Sequence, residues 1–204
     1  MAEPRELKTF SGEALNNFQT TSAVVPSSRY LTRAMLAPLP LRRARVVVEF
    51  GPGTGAITRA LLEGLPAQAT LLSFEINPRF RAYLEANLPD PRLVVVAAGA
   101  EHAAEELARR GIRQVDAAVS SLGLTLMPDR QRQAAVRSLV SLLSPDGVFT
   151  QYQYLHGLLA YLQKTDGHFV RFTVNRFLKS YFSQVSREVV WRNLPPAFVF
   201  ICQP

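Results

Sequence analysis

The stretch Val46–Gly55, V-V-V-E-F-G-P-G-T-G, constrains the fold of this chain more than any other. β-Branched residues run into an acid, then a glycine-rich turn, then a helix-compatible segment over 56–65. That order predicts a buried strand, a tight loop and a helix. Gly51, Gly53 and Gly55 leave out side chains where the backbone must bend and where a ligand can approach it. The helix behind offers free N–H groups to a polar or anionic group. A glycine turn by itself also fits any strand–turn–helix unit. Glu49 narrows the reading: a carboxylate closing an apolar strand is costly without a partner, and a cationic ligand amine at the loop's mouth is one such partner.

A second acid follows about twenty residues after the glycines, where L-L-S-F-E, 71–75, reads as another apolar strand ending in a carboxylate. In nucleotide-binding α/β folds an acid there accepts hydrogen bonds from ribose hydroxyls. On these residues the sequence resembles the class I S-adenosylmethionine-dependent methyltransferases, with E-F-G-P-G-T-G as their first motif and F-E-I-N, 74–77, as their second. The dinucleotide dehydrogenases compete, but G-P-G-T-G-A-I lacks the last glycine of G-x-G-x-x-G in register, which disfavours hydride transfer. The resemblance implies S-adenosylmethionine as cofactor, held by Glu49, Gly51, Pro52, Gly53, Gly55, Glu75 and Ile76.

A narrower resemblance rests on A-V-V-P-S-S-R-Y-L-T-R-A-M, 23–35, on S-S-L-G-L, 120–124, and on W-R-N-L-P-P-A, 191–197. All three resemble the bacterial phospholipid and ornithine-lipid N-methyltransferases. From the residues alone, Ser27 or Ser28 caps a helix, Tyr30, Leu31, Met35 and Leu36 supply its buried face, and Pro38 and Pro40 stop it. The resemblance adds that Ser27, Ser28 and Tyr30 lie near the cofactor or acceptor pocket.

One position departs from the wider family. Many relatives have G-D-A after the third strand, and that acid can bind the adenine amino group. This chain reads A-G-A-E-H, with Gly99 in the acid's place. Backbone at Gly99 and Ala100 is expected to face adenine, while Glu101 either substitutes or, as the preferred reading, caps a helix over 101–110.

The fourth strand, 115–121, should end beside the ligand, since in open α/β sheets ligands lie beyond the carboxyl ends of the strands. Ser120 to Gly123 then sit where methyl donor meets acceptor. Amino-methyltransferases of nucleic-acid bases carry N-P-P-Y or D-P-P-Y there, to grip and stack a planar amine; this chain has neither amide nor aromatic. That argues against a nucleic-acid acceptor. N-L-P-P-A-F, 193–198, precedes the last strand and reads as a proline-rigid hairpin turn. Ser121, Gly123, Tyr152 and Tyr154 are the acceptor-site candidates, and no catalytic base stands out.

The net charge of +7 suits a polyanion, either nucleic acid or an acidic lipid surface. One cysteine, Cys202, and three histidines give no support for a disulfide framework or a metal site. No apolar run is long enough to span a bilayer, so the expected location is cytoplasmic, peripheral on the inner membrane face. Two stretches are candidates for that contact. One is an N-terminal stripe of Leu7, Phe10, Ala14 and Phe18. The other is an aromatic and basic helix over 169–182 with Arg171, Arg176 and Lys179.

The expectation is therefore an α/β, Rossmann-like single domain: a helical extension over 1–40, then a core over 41–204. Its sheet has seven mostly parallel strands, closed by a hairpin of 185–191 and 197–202. The expected activity is N-methylation of a lipid head-group amine of phosphatidylethanolamine or ornithine-lipid type. An RNA adenine N6-methyltransferase, a small-molecule methyltransferase and a non-catalytic cofactor-fold protein are the alternatives.

Overall fold

The computed structural model describes residues 28–155, 162–165, 168–171 and 173–204, the two short segments as backbone only. The β-branched run Val46–Phe50 (β1) pairs in parallel with Thr70–Phe74 (β2) on one side and Val115–Ser120 (β4) on the other. Leu93–Val96 (β3) extends the sheet beyond β2, and Leu143–Tyr154 (β5) extends it beyond β4. Ala197–Gln203 (β9) then runs antiparallel to β5, and Gln184–Val190 (β8) antiparallel to β9. The strand order is β3-β2-β1-β4-β5-β9-β8, the seven-stranded, mostly parallel sheet expected. The chain winds outward from β1 to β3 and then returns to the other side of β1, so the switch in winding falls between β1 and β4. Ligands bind at such a point, where loops leave neighbouring strands in opposite directions.

Helices cover both faces, which is why β1, β2 and β4 read as near-continuous apolar runs. On one face Arg29–Leu36 (α1) and Ala56–Gly64 (α2) bury Leu31, Met35, Ile57, Leu61 and Leu62 against Val47, Leu71, Val119 and Val199. On the other, Ala103–Arg109 (α4), Asp129–Val140 (α5) and Val174–Lys179 (α6) bury Leu107, Leu139 and Leu178 against Phe50, Phe74 and Phe149. Pro78–Asn87 (α3) opens as expected, with Asn77 Oδ1 accepting from Arg79 N–H and proline in the first turn. In α1, Leu31 and Met35 are fully buried, whereas Tyr30 and Leu36 are half-buried.

The segment after β5 corrects the sequence reading. No helix runs over 169–182. Leu162–Thr165 (β6) and His168–Arg171 (β7) form an antiparallel hairpin, and α6 spans only six residues, with Thr173 Oγ1 as its N-cap. The run H-F-V-R-F favours extended backbone. The short helix that remains turns its apolar side inward: Val174, Leu178 and the following Phe182 are buried, and Phe182 stacks on Phe149 at 5.6 Å. The N-terminal stripe of Leu7 to Phe18 lies outside the described residues, as does Ser27. Among the described residues no helix is long and apolar enough to cross a membrane.

Candidate functional site

The loop 51–55 crosses the C-terminal end of β1 with three glycines in the left-handed region, at φ of 71°, 54° and 80° for Gly51, Gly53 and Gly55. Each has different surroundings. A Cβ on Gly55 would lie 2.7 Å from Leu84 Cδ2 and 2.9 Å from Leu88 Cδ1, so Gly55 lets α2 begin against α3. A Cβ on Gly51 would press on Leu122 Cδ2 at 3.1 Å, in the loop after β4. A Cβ on Gly53 would meet nothing within 4 Å. The cradle is therefore packed at both ends and open in the middle. Pro52 is buried beneath it.

Glu75 closes one side. It is 7% exposed; Gly53 N–H donates to its Oε2 at 3.2 Å and Asn77 N–H to its Oε1 at 2.8 Å. These bonds tie the glycine loop to the end of β2 while leaving lone pairs on both oxygens. Ile76 beside it is 47% exposed, an apolar surface next to a polar one.

Glu49 lies below the loop and is fully buried. Its partners are protein hydroxyls rather than an open mouth: Thr58 Oγ1 and Ser73 Oγ both donate to Oε2 at 2.7 Å, and Oε1 has no partner among the described residues. Burial pushes its pKa up to about 7, against the lowering effect of the two hydroxyls and with a further push from the Glu75 charge. Thr150 Oγ1 and Gln151 Oε1, buried on β5, likewise have no hydrogen-bond partner among the described residues. Strand register aligns all three: Glu49, Val119 and Thr150 form one cross-strand row, and Phe50, Ser120 and Gln151 form the next. Buried acceptors without partners are rare, and here they gather at the level where β1 and β4 end.

The loop after β4 is held from below. Ser121 N–H donates to Phe50 O at 2.9 Å, Leu122 N–H to Ser120 Oγ at 3.2 Å, and Gln151 Nε2 to Leu122 O at 2.9 Å. Arg132, 2% exposed, donates to Leu124 O at 2.9 Å and Met127 O at 3.3 Å, pairs with Asp129, and stacks over Phe177. Gly123 stays exposed and Ser121 half-buried at the surface of this loop. Tyr152 and Tyr154 stand on the α1 side, edge to face at 5.3 Å, and burial raises the Tyr152 pKa so that its phenol stays protonated.

At the end of β3 the structure corrects the expected cap. Glu101 does not cap α4; Ala104 N–H, in its first turn, is met by Ser138 Oγ of α5 at 2.8 Å. The Glu101 carboxylate folds back instead over Gly99, with Oε2 against the place a Cβ would take, and Gln131 Nε2 donates to Oε1 at 3.0 Å. It fills the space that a side chain at position 99 would occupy. Ala100 is buried behind it.

The Ser28 hydroxyl is engaged beside the β8–β9 turn, on the same edge of the sheet as the glycine loop. It accepts from Leu31 N–H at 3.3 Å as the cap of α1 and donates to Asn193 Oδ1 at 2.6 Å. In the turn after β8, Asn193 also donates to Pro195 O at 2.7 Å and is only 4% exposed, so one asparagine braces both its own turn and the cap of α1. Sequence reading missed Asn193, Thr150, Gln151 and Arg132 as parts of this edge. The adjacent polar residues Thr150 and Gln151 inside the run V-F-T-Q-Y-Q-Y were the available signal for the strand pair.

An open glycine cradle and a neighbouring carboxylate with free lone pairs fit a nucleoside. Comparison with known proteins agrees. Residues 47–147 match the methyltransferase-domain family. Over 195 residues, 95% of this chain and 94% of the relative, the sequence is 27% identical to an ornithine lipid N-methyltransferase from Singulisphaera acidiphila. A local match of 39% over 87 residues links 43% of the chain to 28% of a ribosomal RNA small subunit methyltransferase H from Aromatoleum aromaticum. The fold is that of the Burkholderia thailandensis 1,6-didemethyltoxoflavin-N1-methyltransferase, at TM-score 0.66 and 20% identity over all of this chain and 91% of that one. The chain is an S-adenosylmethionine-dependent methyltransferase with the class I, Rossmann-like fold.

Proposed function

We propose that this enzyme methylates the amine of a lipid head group, of ornithine-lipid or phosphatidylethanolamine type. One observation carries the reading. The stretches 23–35 and 191–197, which resemble the lipid N-methyltransferases, stand 165 residues apart at Ser28 and Asn193, and these two residues are joined by a hydrogen bond. The near-full-length similarity to a lipid enzyme supports it. So does the small, apolar S-S-L-G-L after β4, which offers no clamp for a planar base.

In this reading Gly51–Gly55 would hold the donor, with Glu75 taking its ribose hydroxyls and Ile76 its adenine. The Glu101 carboxylate, steadied by Gln131, would take the adenine amino group in place of a side chain at 99. When bound, S-adenosylmethionine supplies an already activated methyl group on a sulfonium. The protein contributes alignment and exclusion of water. Gln151 holds the loop at Leu122, and Ser121, Gly123, Tyr152 and Tyr154 border the acceptor. The Tyr152 phenol, kept protonated by burial, can donate a hydrogen bond but not remove the proton that an ammonium must lose. Glu49 is sealed from solvent, so that proton leaves to water or lipid phosphate.

The test offers radiolabelled methyl donor with vesicles containing phosphatidylethanolamine, vesicles containing ornithine lipid, RNA, and no acceptor. Label in the lipid phase is expected. Label in RNA alone would replace this reading with the RNA alternative, and label in neither would favour a small-molecule acceptor.

A further inference from the structure

Strand direction decides where the turn between β8 and β9 stands. Tyr154, at the C-terminal end of β5, pairs with Ala197 at the start of β9, and Ala197 pairs with Val190 at the end of β8. Leu155 N–H donates to Pro196 O at 2.9 Å. Residues 191–196 therefore project from the edge of the sheet that carries the glycine loop and the loop after β4.

This turn shows solvent two large apolar side chains, Trp191 at 71% and Leu194 at 85% exposure. Between them Asn193 is buried and bonded to both Ser28 and Pro195, and two prolines fix the backbone that follows. The apolar pair is thus held outward by a rigid frame. Arg192 and Arg29 meet beside it on one ring, with Cζ atoms 5.5 and 4.9 Å from the Tyr30 centroid. Neither 28–44 nor 189–204 contains an acid. Two clustered guanidinium groups that form no ion pair with a carboxylate among the described residues suit phosphates, and a tryptophan beside them suits the boundary between head groups and acyl chains. Helix α6 lacks this arrangement, since its apolar side chains are committed to the core.

We propose that the β8–β9 turn is the membrane-docking element. Trp191 and Leu194 enter the head-group layer of an anionic bilayer, Arg29 and Arg192 lie on lipid phosphates, and the C-terminal edge of the sheet faces the bilayer. An acceptor amine then reaches the loop after β4 without its lipid leaving the membrane. The inference rests on the lipid reading of the site and adds which surface meets the lipid.

Trp191 is the only tryptophan in the chain, so its fluorescence reports on this turn alone. Vesicles of phosphatidylglycerol and phosphatidylethanolamine should shift its emission to the blue, and brominated acyl chains should quench it. Trp191→Ser with Leu194→Ser should lower vesicle affinity in flotation by about tenfold or more, as expected for withdrawing two apolar side chains from an interface. Donor affinity by calorimetry and methylation of lipid dispersed in detergent should be retained, while methylation of vesicle lipid falls. If the protein floats and methylates vesicle lipid with unshifted emission, or the double variant floats equally well, the turn is not the contact and the lipid reading stands. A dimer abolished by the same substitutions, with vesicle binding unchanged, would reassign the patch to self-association. If RNA is methylated and vesicles neither bind nor accept label, both proposals fail.

Discussion

Gly51, Gly53 and Gly55 share a left-handed backbone, yet only Gly53 faces open space. A side chain there costs about 1–2 kcal/mol of backbone strain, little enough for the fold to survive, and it occupies the cradle itself. Gly53→Arg should abolish S-adenosylmethionine binding in calorimetry with an unchanged circular dichroism spectrum; undiminished affinity would remove the glycine loop from the cofactor site. Glu101 allows a compensation test. Glu101→Ala should weaken donor binding by about 1–3 kcal/mol, the range for losing a hydrogen bond to a charged group. Adding Gly99→Asp should restore part of that loss, because residue 99 has an ordinary φ of −78° and the space is then free. No recovery would mean that the carboxylate serves only its bond to Gln131.

Glu49 makes stability depend on pH. Its folded pKa of about 7 stands above the ordinary 4.5, so between these values the folded chain keeps a proton that the unfolded chain has released. Stability from this group therefore falls as pH rises through that window, by on the order of 3 kcal/mol in total. Glu49→Gln removes the titration. The drop in Tm between pH 5 and pH 8 should be smaller in the variant by several degrees, at about 2–4 °C per kcal/mol for a chain of this size. An equal drop would show that the acid is ionised in the folded state.

Among the elements, α1 depends on a residue from the opposite end of the chain. Its first turn is capped by Ser28, and Ser28 is held by Asn193. Asn193→Ala leaves the Ser28 hydroxyl without its acceptor and the Pro195 carbonyl without its donor, which should cost about 1–3 kcal/mol. Hydrogen exchange should quicken in α1 and in the turn together. Acceleration confined to the turn would show that the two are not coupled. Helix α6 illustrates the reverse. Its aromatic and basic composition suggests a surface for lipid, but Phe177 packs against Tyr181 and under Arg132, and Leu178 is fully buried.

At the scale of the whole molecule, a charge of +7 attracts anionic surfaces from any direction, and the fold selects which charges meet one. Each basic residue close to an anionic membrane contributes about 1 kcal/mol, decaying over about 8–10 Å in physiological salt. Arg176→Glu with Lys179→Glu should therefore lower vesicle affinity less than Arg29→Glu with Arg192→Glu, even though the formal charge changes equally. Flotation of both variants at the same ionic strength checks this. The opposite order would place the membrane on the α6 side.

The sequence by itself determined the strand–glycine–helix unit, the acid after β2, the parallel sheet and its closing hairpin, because those features are written in local periodicity and backbone requirements. It also carried the cofactor, since E-F-G-P-G-T-G and F-E-I-N are contiguous. Only the tertiary structure decided what depends on distant partners. It set Glu49 on Thr58 and Ser73, folded Glu101 over Gly99, aligned Thr150 and Gln151 with the end of β1, and joined Ser28 to Asn193. The exposed turn of Trp191 and Leu194 was equally hidden in the sequence. Whether an apolar residue faces core or solvent there depends on antiparallel pairing with β5, through β9, which no local pattern records.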